Sequence, residues 1–445
     1  MPEAMSTRGS THPSRRDFLK SSTAAVGGVL AGGLTLARSA HAAGSDVLRL
    51  GLIGCGGRGT GAAGDAMNAD KNTKLVAVGD AFEDRARGSV SRLKGQFAER
   101  VDVKPDCCFW GFDAYQKVLD SGVDVVILAE TPHFRPQHLK AAVAAGKHIF
   151  CEKPVAVDAP GFRSVLESTE EATKKGLSLV SGLCWRYETA VTATMQKILD
   201  GAIGEITSIQ VTYNTGMIGG RQRSKDRPES EMVYQMRNWY CFAWLSGDHN
   251  VEQHVHSLDK AAWAMHDEPP LTAWGLGGRQ VRVDPIYGDI YDHHAVVYEY
   301  PGGVLAHSYC RQQPGCWSDV TDKFFGTKGR AIVLNDFRIE DLKGNTTWKF
   351  KGKRNSMYVA EHEALFKSIR SGKPINNGLY MARSTMLAIL GRMVDYTGQR
   401  LTWEEAINSK QLLAPASYAW DADPPTKPGP DGRYPIATPG VTKFV

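Results

Sequence analysis

The sequence predicts an α/β fold whose N-terminal half is a doubly wound parallel sheet of the Rossmann type. Three observations predict it. An apolar, strand-like run, residues 47–53, leads straight into Gly54-Cys55-Gly56-Gly57-Arg58-Gly59, a G-x-G-x-x-G loop followed by a small-residue helix over residues 60–68. A second strand, residues 74–79, ends at Asp80, 21 residues past Gly59, where an acid would accept the ribose 2′-hydroxyl of a dinucleotide. Strands then keep alternating with helices: strand 124–129, helix 138–145 closed by Gly146, strand 147–151, helix 161–175 and a sixth strand over 177–183. That alternation implies parallel pairing through helical crossovers.

Within the loop, Gly54 permits the tight turn, Gly56 the close approach of pyrophosphate, and Gly59 the contact between helix and strand. Gly57 and Arg58 complete the cofactor loop. The carboxylate of Asp80 repels a 2′-phosphate, so the cofactor expected is NAD. Arg58 and Arg85 are the cations through which NADP stays possible.

The chain has 445 residues, 42% hydrophobic and 23% charged, enough for two or three cored domains. The net charge is +5. Residues 1–42 hold five Lys/Arg against two acids, which leaves 48 basic and 46 acidic residues in the remainder. A body this near neutrality gives no reason to expect nucleic acid as a partner. Eight cysteines contain no C-x-x-C pair, which argues against a zinc site or a disulfide framework, with Cys310–Cys316 as the one bridge alternative.

Ser14-Arg15-Arg16-Asp17-Phe18-Leu19-Lys20, the glycine- and alanine-rich stretch 21–37 and Ala40-His41-Ala42 have the order of a twin-arginine signal peptide. The apolar stretch is short for a spanning helix and carries four glycines, so no stable membrane insertion is expected. The expected route is export of the folded protein by the twin-arginine machinery to the periplasm or outside the cell.

Gly54, Gly56 and Gly59, Thr131-Pro132 with His138, Ala145-Gly146-Lys147-His148, Glu152-Lys153-Pro154, His256-Ser257-Leu258-Asp259 and Pro301-Gly302-Gly303 together resemble the Gfo/Idh/MocA family. The likeness runs from about Val47 to about Trp403 and extends to exported sugar oxidoreductases. It implies a C-terminal α/β domain with a large, mostly antiparallel sheet that carries the substrate, C-terminal helices packed back on the Rossmann half, and a homo-oligomer, dimer or tetramer. The expected division is a signal peptide over 1–42, a dinucleotide-binding domain over 43–184, a substrate and oligomerisation domain over 185–420, and a proline-rich tail without regular structure over 421–445 that runs over a neighbouring subunit. The resemblance also implies cofactor contacts from Thr131, Pro132, His138, Glu152 and Lys153.

Lys153 follows the fifth strand at the carboxyl edge of the sheet, where open α/β folds bind ligands. There an ammonium can hydrogen-bond a substrate hydroxyl and stabilise oxyanion character as hydride leaves carbon. Downstream, residues 247–259 open a helix that runs through Trp263. Glu252 and His256 are four apart and share one helix face. His256 is assigned as the acid/base that takes the hydroxyl proton, and Glu252 as the group that orients its ring, with glutamate standing where the family usually has aspartate. His249, Glu252 and His256 also have a spacing that could ligate a metal, but hydride transfer to a nicotinamide needs none, and no metal is expected. Capping of the helix by Asp248 is the plainer reading of this segment.

Substrate-contact candidates are Tyr291 and His293, just before a strand with alternating Val296, Tyr298 and Tyr300, together with Trp185 and Arg186. The aromatic block over residues 237–244 supplies one or two further contacts without a choice among them. The function expected is hydride transfer between a tightly held NAD and a secondary hydroxyl of a sugar, polyol or glycoside. The alternatives are a redox-neutral glycoside hydrolase acting through a transient keto-sugar, and a non-catalytic binding protein, against which Lys153 and His256 together argue.

Overall fold

The computed structural model describes residues 46–224, 226 and 228–444. The twin-arginine segment lies outside the described residues. Six short apolar strands build the first sheet: β1 (Leu48–Ile53), β2 (Thr73–Asp80), β3 (Cys108–Trp110), β4 (Val125–Leu128), β5 (His148–Cys151) and β6 (Leu179–Ser181). All pair in parallel, in the order β3-β2-β1-β4-β5-β6, with helices on both faces. The central strand β4 is Val-Val-Ile-Leu and is buried throughout, as a sheet covered twice requires. The unannounced member is β3, whose three residues are too short to show periodicity.

Helix α1 (Gly57–Ala69) leaves the glycine loop, α2 (Arg135–Ala144) connects β4 to β5, and α3 (Ala159–Lys174) connects β5 to β6. Asp158 caps α3 by accepting from the Gly161 N–H at 2.8 Å.

The second sheet has nine strands: β7 (Ile206–Thr215), β8 (Thr272–Gly278), β9 (His293–Glu299), β10 (Leu305–Gln312), β11 (Asp322–Gly326), β12 (Gly329–Val333), β13 (Arg338–Asp341), β14 (Thr346–Lys349) and β15 (Leu401–Thr402). Their order is β14-β13-β12-β11-β7-β10-β9-β8-β15. Only β7 and β10 run parallel; every other neighbour is antiparallel. Along β9, Val296 and Tyr298 turn inward while the residues between them are half-exposed, the alternation of a sheet packed on one face.

Between β7 and β8 the expected long helix is broken. Residues form α4 (His249–Glu252), a turn at Gln253, and α5 (Val255–Ala264). Asp248 does cap α4, accepting from the Asn250 N–H, and adopts φ +84° to do so. Lys260 on α5 forms a fully buried ion pair with Asp322 on β11 at 3.0 Å, which fastens this segment to the sheet.

Two helices return to the first half: α6 (Met357–Ser371) lies against α1, and α7 (Gly378–Thr397) against α3. Each ends at a left-handed glycine, Gly372 or Gly398, which satisfies the last carbonyls without a Cβ penalty. The tail has no regular structure, and it packs on its own chain. Trp420 sits against Phe82 and Phe112, with ring centroids 5.0 and 4.5 Å apart, and Tyr434 is buried against Phe242. All eight cysteines are free, with Cys310 buried and Cys316 exposed. Among the described residues, no helix is long and apolar enough to cross a membrane.

Candidate active site

A cleft of about 400 Å³ opens along the carboxyl edge of the parallel sheet. Its floor is the glycine loop. Gly54 has φ +90°, and a Cβ there would lie 2.2 Å from the Glu130 N–H nitrogen; one on Gly59 would lie 1.8 Å from the Gly54 carbonyl oxygen. Gly56 and Gly57 differ: nothing meets a Cβ within 4 Å at Gly57, and at Gly56 only the Arg85 guanidinium comes near, at 3.4 Å. The first pair is thus bare for the chain's own packing, and the second leaves open space in the cleft. Helix α1 has neither a side-chain cap nor an acid in its first turn. Its N-terminal N–H groups are free to receive an anion.

Asp80 closes one end. Its carboxylate accepts from the Cys55 N–H at 2.7 Å and the Phe82 N–H at 2.9 Å, and burial raises its pKa from the ordinary value. Arg85 lies beside it on the cleft wall. Arg58, the other cation expected near a 2′-phosphate, is committed elsewhere. Its guanidinium pairs with Glu152, Glu361 and Asp65 and lies 4.6 Å from the Tyr358 ring centroid. It lines the cleft as part of an acid-neutralising cluster, and its charge is already balanced.

Deeper in, Thr131 Oγ1 and both Glu130 oxygens are buried without a hydrogen-bond partner. His138 stacks on Tyr115 at 4.1 Å, and its Nδ1 lies 3.1 Å from Glu130. Pro132 is buried just behind Thr131, at the start of a short 3-10 turn, and forms no part of the lining. Open glycines, an uncapped helix, a half-buried acid at the end of β2 and orphaned polar atoms fit a dinucleotide. The residues that would hold it are Gly54, Gly56, Gly57, Asp80, Thr131 and, at the far end, Glu152 and Lys153.

Lys153 is the junction with the second half. Its Nζ donates to the Glu252 carboxylate at 2.9 Å and to the Glu252 carbonyl at 2.5 Å. The break after α4 changes the reading of this group. Glu252 and His256 stand on two separate helices, and Glu252 positions Lys153 rather than the His256 ring. Both still line the cleft with Lys153. His256 is half-buried, its Nδ1 is buried without a partner, and desolvation together with Lys153, Lys260 and Arg58 holds its pKa well below the ordinary histidine value. It therefore presents a neutral imidazole.

The remaining candidates fall outside the cleft. Arg186 is locked between Asp259 and Asp267 and lies over the Tyr380 ring at 3.9 Å. Trp185 packs on the core below Lys260. Tyr291 is buried and donates to the Ala437 carbonyl at 2.8 Å, while His293 pairs with Asp292 at 2.7 Å. From the aromatic block, the structure places Trp239 in the wall, with Met236 nearby. Residue-by-residue reading missed Phe112, Tyr115 and Tyr358, because each is an ordinary aromatic in a loop or helix and only the fold brings it to the rim.

With this geometry in view, the comparisons with known proteins are specific. Residues 48–180 match the Gfo/Idh/MocA oxidoreductase family, described as an NAD-binding Rossmann fold. The chain is an NAD-dependent oxidoreductase in which residues 48–180 form an NAD-binding Rossmann domain matching that family. It is similar to the inositol 2-dehydrogenase of Rhizobium meliloti, 25% identical over 347 residues that cover 75% of this chain and 93% of the relative. It is also similar to the myo-inositol 2-dehydrogenase of Thermotoga maritima, 23% identical over 338 residues and covering 74% and 90%. Among solved structures, the aldose–aldose oxidoreductase of Caulobacter crescentus complexed with glycerol shares the fold of this oxidoreductase. The TM-score is 0.63 at 17% identity, over 80% of this chain and 99% of that one.

Proposed function

We propose that the chain transfers hydride between NAD and a secondary hydroxyl of a sugar or polyol, with Lys153, Glu252 and His256 as the chemical group. The observation that carries this reading is the meeting of two sets in one cleft: the nucleotide-holding loop and Asp80 at one end, the Lys153–Glu252–His256 group at the other. When bound, the nicotinamide supplies the hydride acceptor. Lys153 Nζ, held by Glu252, offers an N–H to the substrate oxygen and stabilises the charge that builds there. His256, neutral because of its burial, accepts the hydroxyl proton, and the surrounding cations make that imidazolium short-lived. Inositol dehydrogenases among the relatives favour net dehydrogenation over the hydrolytic alternative.

The twin-arginine order of the first 42 residues supports export of the folded chain with its nucleotide already seated, since free NAD is scarce outside the cytoplasm. The test is to purify the exported protein, denature it and weigh the released nucleotide. Stoichiometric NAD supports the reading. A protein that emerges empty and binds neither NAD nor NADP contradicts it.

A further inference from the structure

On the far side of α4 from the cleft, Asp248, His249 and His294 come together with one ligand atom each, all within 4.8 Å of one another. None of the three lines the cleft. We propose that these residues form a structural site for a divalent transition ion of the zinc type, clamping the start of α4 to strand β9.

The ring geometry carries the inference. His249 Nδ1 and His294 Nε2 lie 2.8 and 3.2 Å from the same oxygen, Asp248 Oδ1. Yet neither nitrogen makes a hydrogen bond to it, because the direction is wrong, and neither has another partner. Both side chains are almost completely buried. A hydrogen bond needs the N–H aimed at the oxygen. Ligands of one ion instead aim their lone pairs at a shared centre, and at metal–ligand distances of about 2.0–2.2 Å they lie roughly 3–3.5 Å apart. The 3.2 Å separation of His294 Nε2 falls in that range, and His249 Nδ1, at 2.8 Å, reaches it with a shift of a few tenths of an ångström.

The surroundings match as well. His294 Nδ1, the nitrogen left over, is 2.8 Å from Asp395 Oδ2, and the other Asp248 oxygen accepts from Tyr396 Oη at 2.5 Å and from the Tyr291 N–H at 3.0 Å. His249 Nε2 faces the Cys310 sulfur at 3.6 Å. Such outer partners fix ring orientation at histidine–metal sites. Two buried carboxylates, Asp248 and Asp395, confront two imidazoles here. A dication balances these two carboxylates, and the buried Arg392 guanidinium faces Asp248 from α7 as well. Two nitrogens and one carboxylate oxygen are the donors that borderline ions such as Zn²⁺ prefer. Because α4 begins at His249 and ends at Glu252, the ion would also set the position of the carboxylate that holds Lys153.

The test reads metal, without nucleotide or turnover. The full chain is purified without chelators and its metal content measured by plasma mass spectrometry. It is then unfolded with chelator and refolded with Zn²⁺ alone or Co²⁺ alone. The expected result is about one transition ion per chain, a visible Co²⁺ absorption band on refolding, and a melting temperature several degrees higher with Zn²⁺ than without. His294→Gln and Asp248→Asn should lose the ion, and His293→Gln, one residue away, should keep it. If the single variants fail to fold, the wild-type metal content and Co²⁺ spectrum still decide. A folded wild-type chain that carries no metal and takes up neither Zn²⁺ nor Co²⁺ on refolding overturns the site and leaves His294 as an imidazolium between Asp248 and Asp395.

Discussion

In the parallel sheet, the residues that face the cleft follow the strands one after another: Gly54 to Gly59 after β1, Asp80 at the end of β2, Thr131 after β4, Glu152 and Lys153 after β5. In the second half, the cleft is faced by residues with no such order. Glu252 and His256 sit on two short helices separated by a turn, Trp239 in a 3-10 turn and Tyr358 on α6, and Glu252 and Tyr358 meet Lys153 and Arg58 from distant segments. The first half writes its site locally, at strand ends. The second assembles its site through buried polar pairs such as Lys260–Asp322, 62 positions apart in the sequence. Lys153 is where the two meet, 99 residues from its partner Glu252.

Four substitutions sharpen that contrast. Lys153→Met removes the junction. Turnover should fall by about 10³-fold while NAD affinity, which the glycine loop and Asp80 chiefly supply, falls by less than about tenfold. Stopped-flow turnover and nucleotide titration separate the two; a parallel loss of both would erase the proposed division of labour. Gly59→Ala probes the locally written half. Its Cβ would collide with the Gly54 carbonyl, so NAD affinity should drop by about 100-fold, measured by calorimetry.

His362→Leu probes packing between the halves, since α6 carries His362 onto Phe150 of β5, with both ring nitrogens buried and unpartnered. Burial and the nearby Arg58 depress its pKa to about 3. The unfolded chain takes up this proton as pH falls through about 6.5, and the folded chain does not, so stability that is intact at pH 7 is lost on acidification. Between pH 7 and 5 the wild type should lose about 2 kcal/mol more than the variant in urea unfolding. Equal acid slopes would show that His362 is protonated in place. Trp420→Ala tests the tail as a support behind the cleft-lining rings of Phe82 and Phe112. Losing its contacts with Phe82 and Phe112 should cost about 1 kcal/mol, a roughly fivefold faster release of NAD.

The same contrast explains what could be read from the residues. The glycine loop, Asp80 and Lys153 were legible because a strand, a turn and a helix start fix their chemistry within a few positions. Glu252 and His256 were found as residues, but their relation was misread: a spacing of four implies a shared helix face only if the helix is continuous, and here it breaks at Gln253. Arg186 and Tyr291 carried suitable side chains, and only the tertiary fold shows them spent on Asp259, Asp267 and the Ala437 carbonyl. The pairing of Arg58 with Glu361, 303 residues away, has no local signature at all.

The central claim is that Lys153 marks the place where hydride passes between a carbinol carbon and NAD. Its most direct test is isotopic: incubate the protein with NAD and a panel of carbon-deuterated inositols, aldoses and other polyols, and weigh the recovered nucleotide. The account predicts one deuterium on the nicotinamide with at least one substrate, lost by about 10³-fold in Lys153→Met. Bound nucleotide that stays free of deuterium with every member of the panel would contradict it.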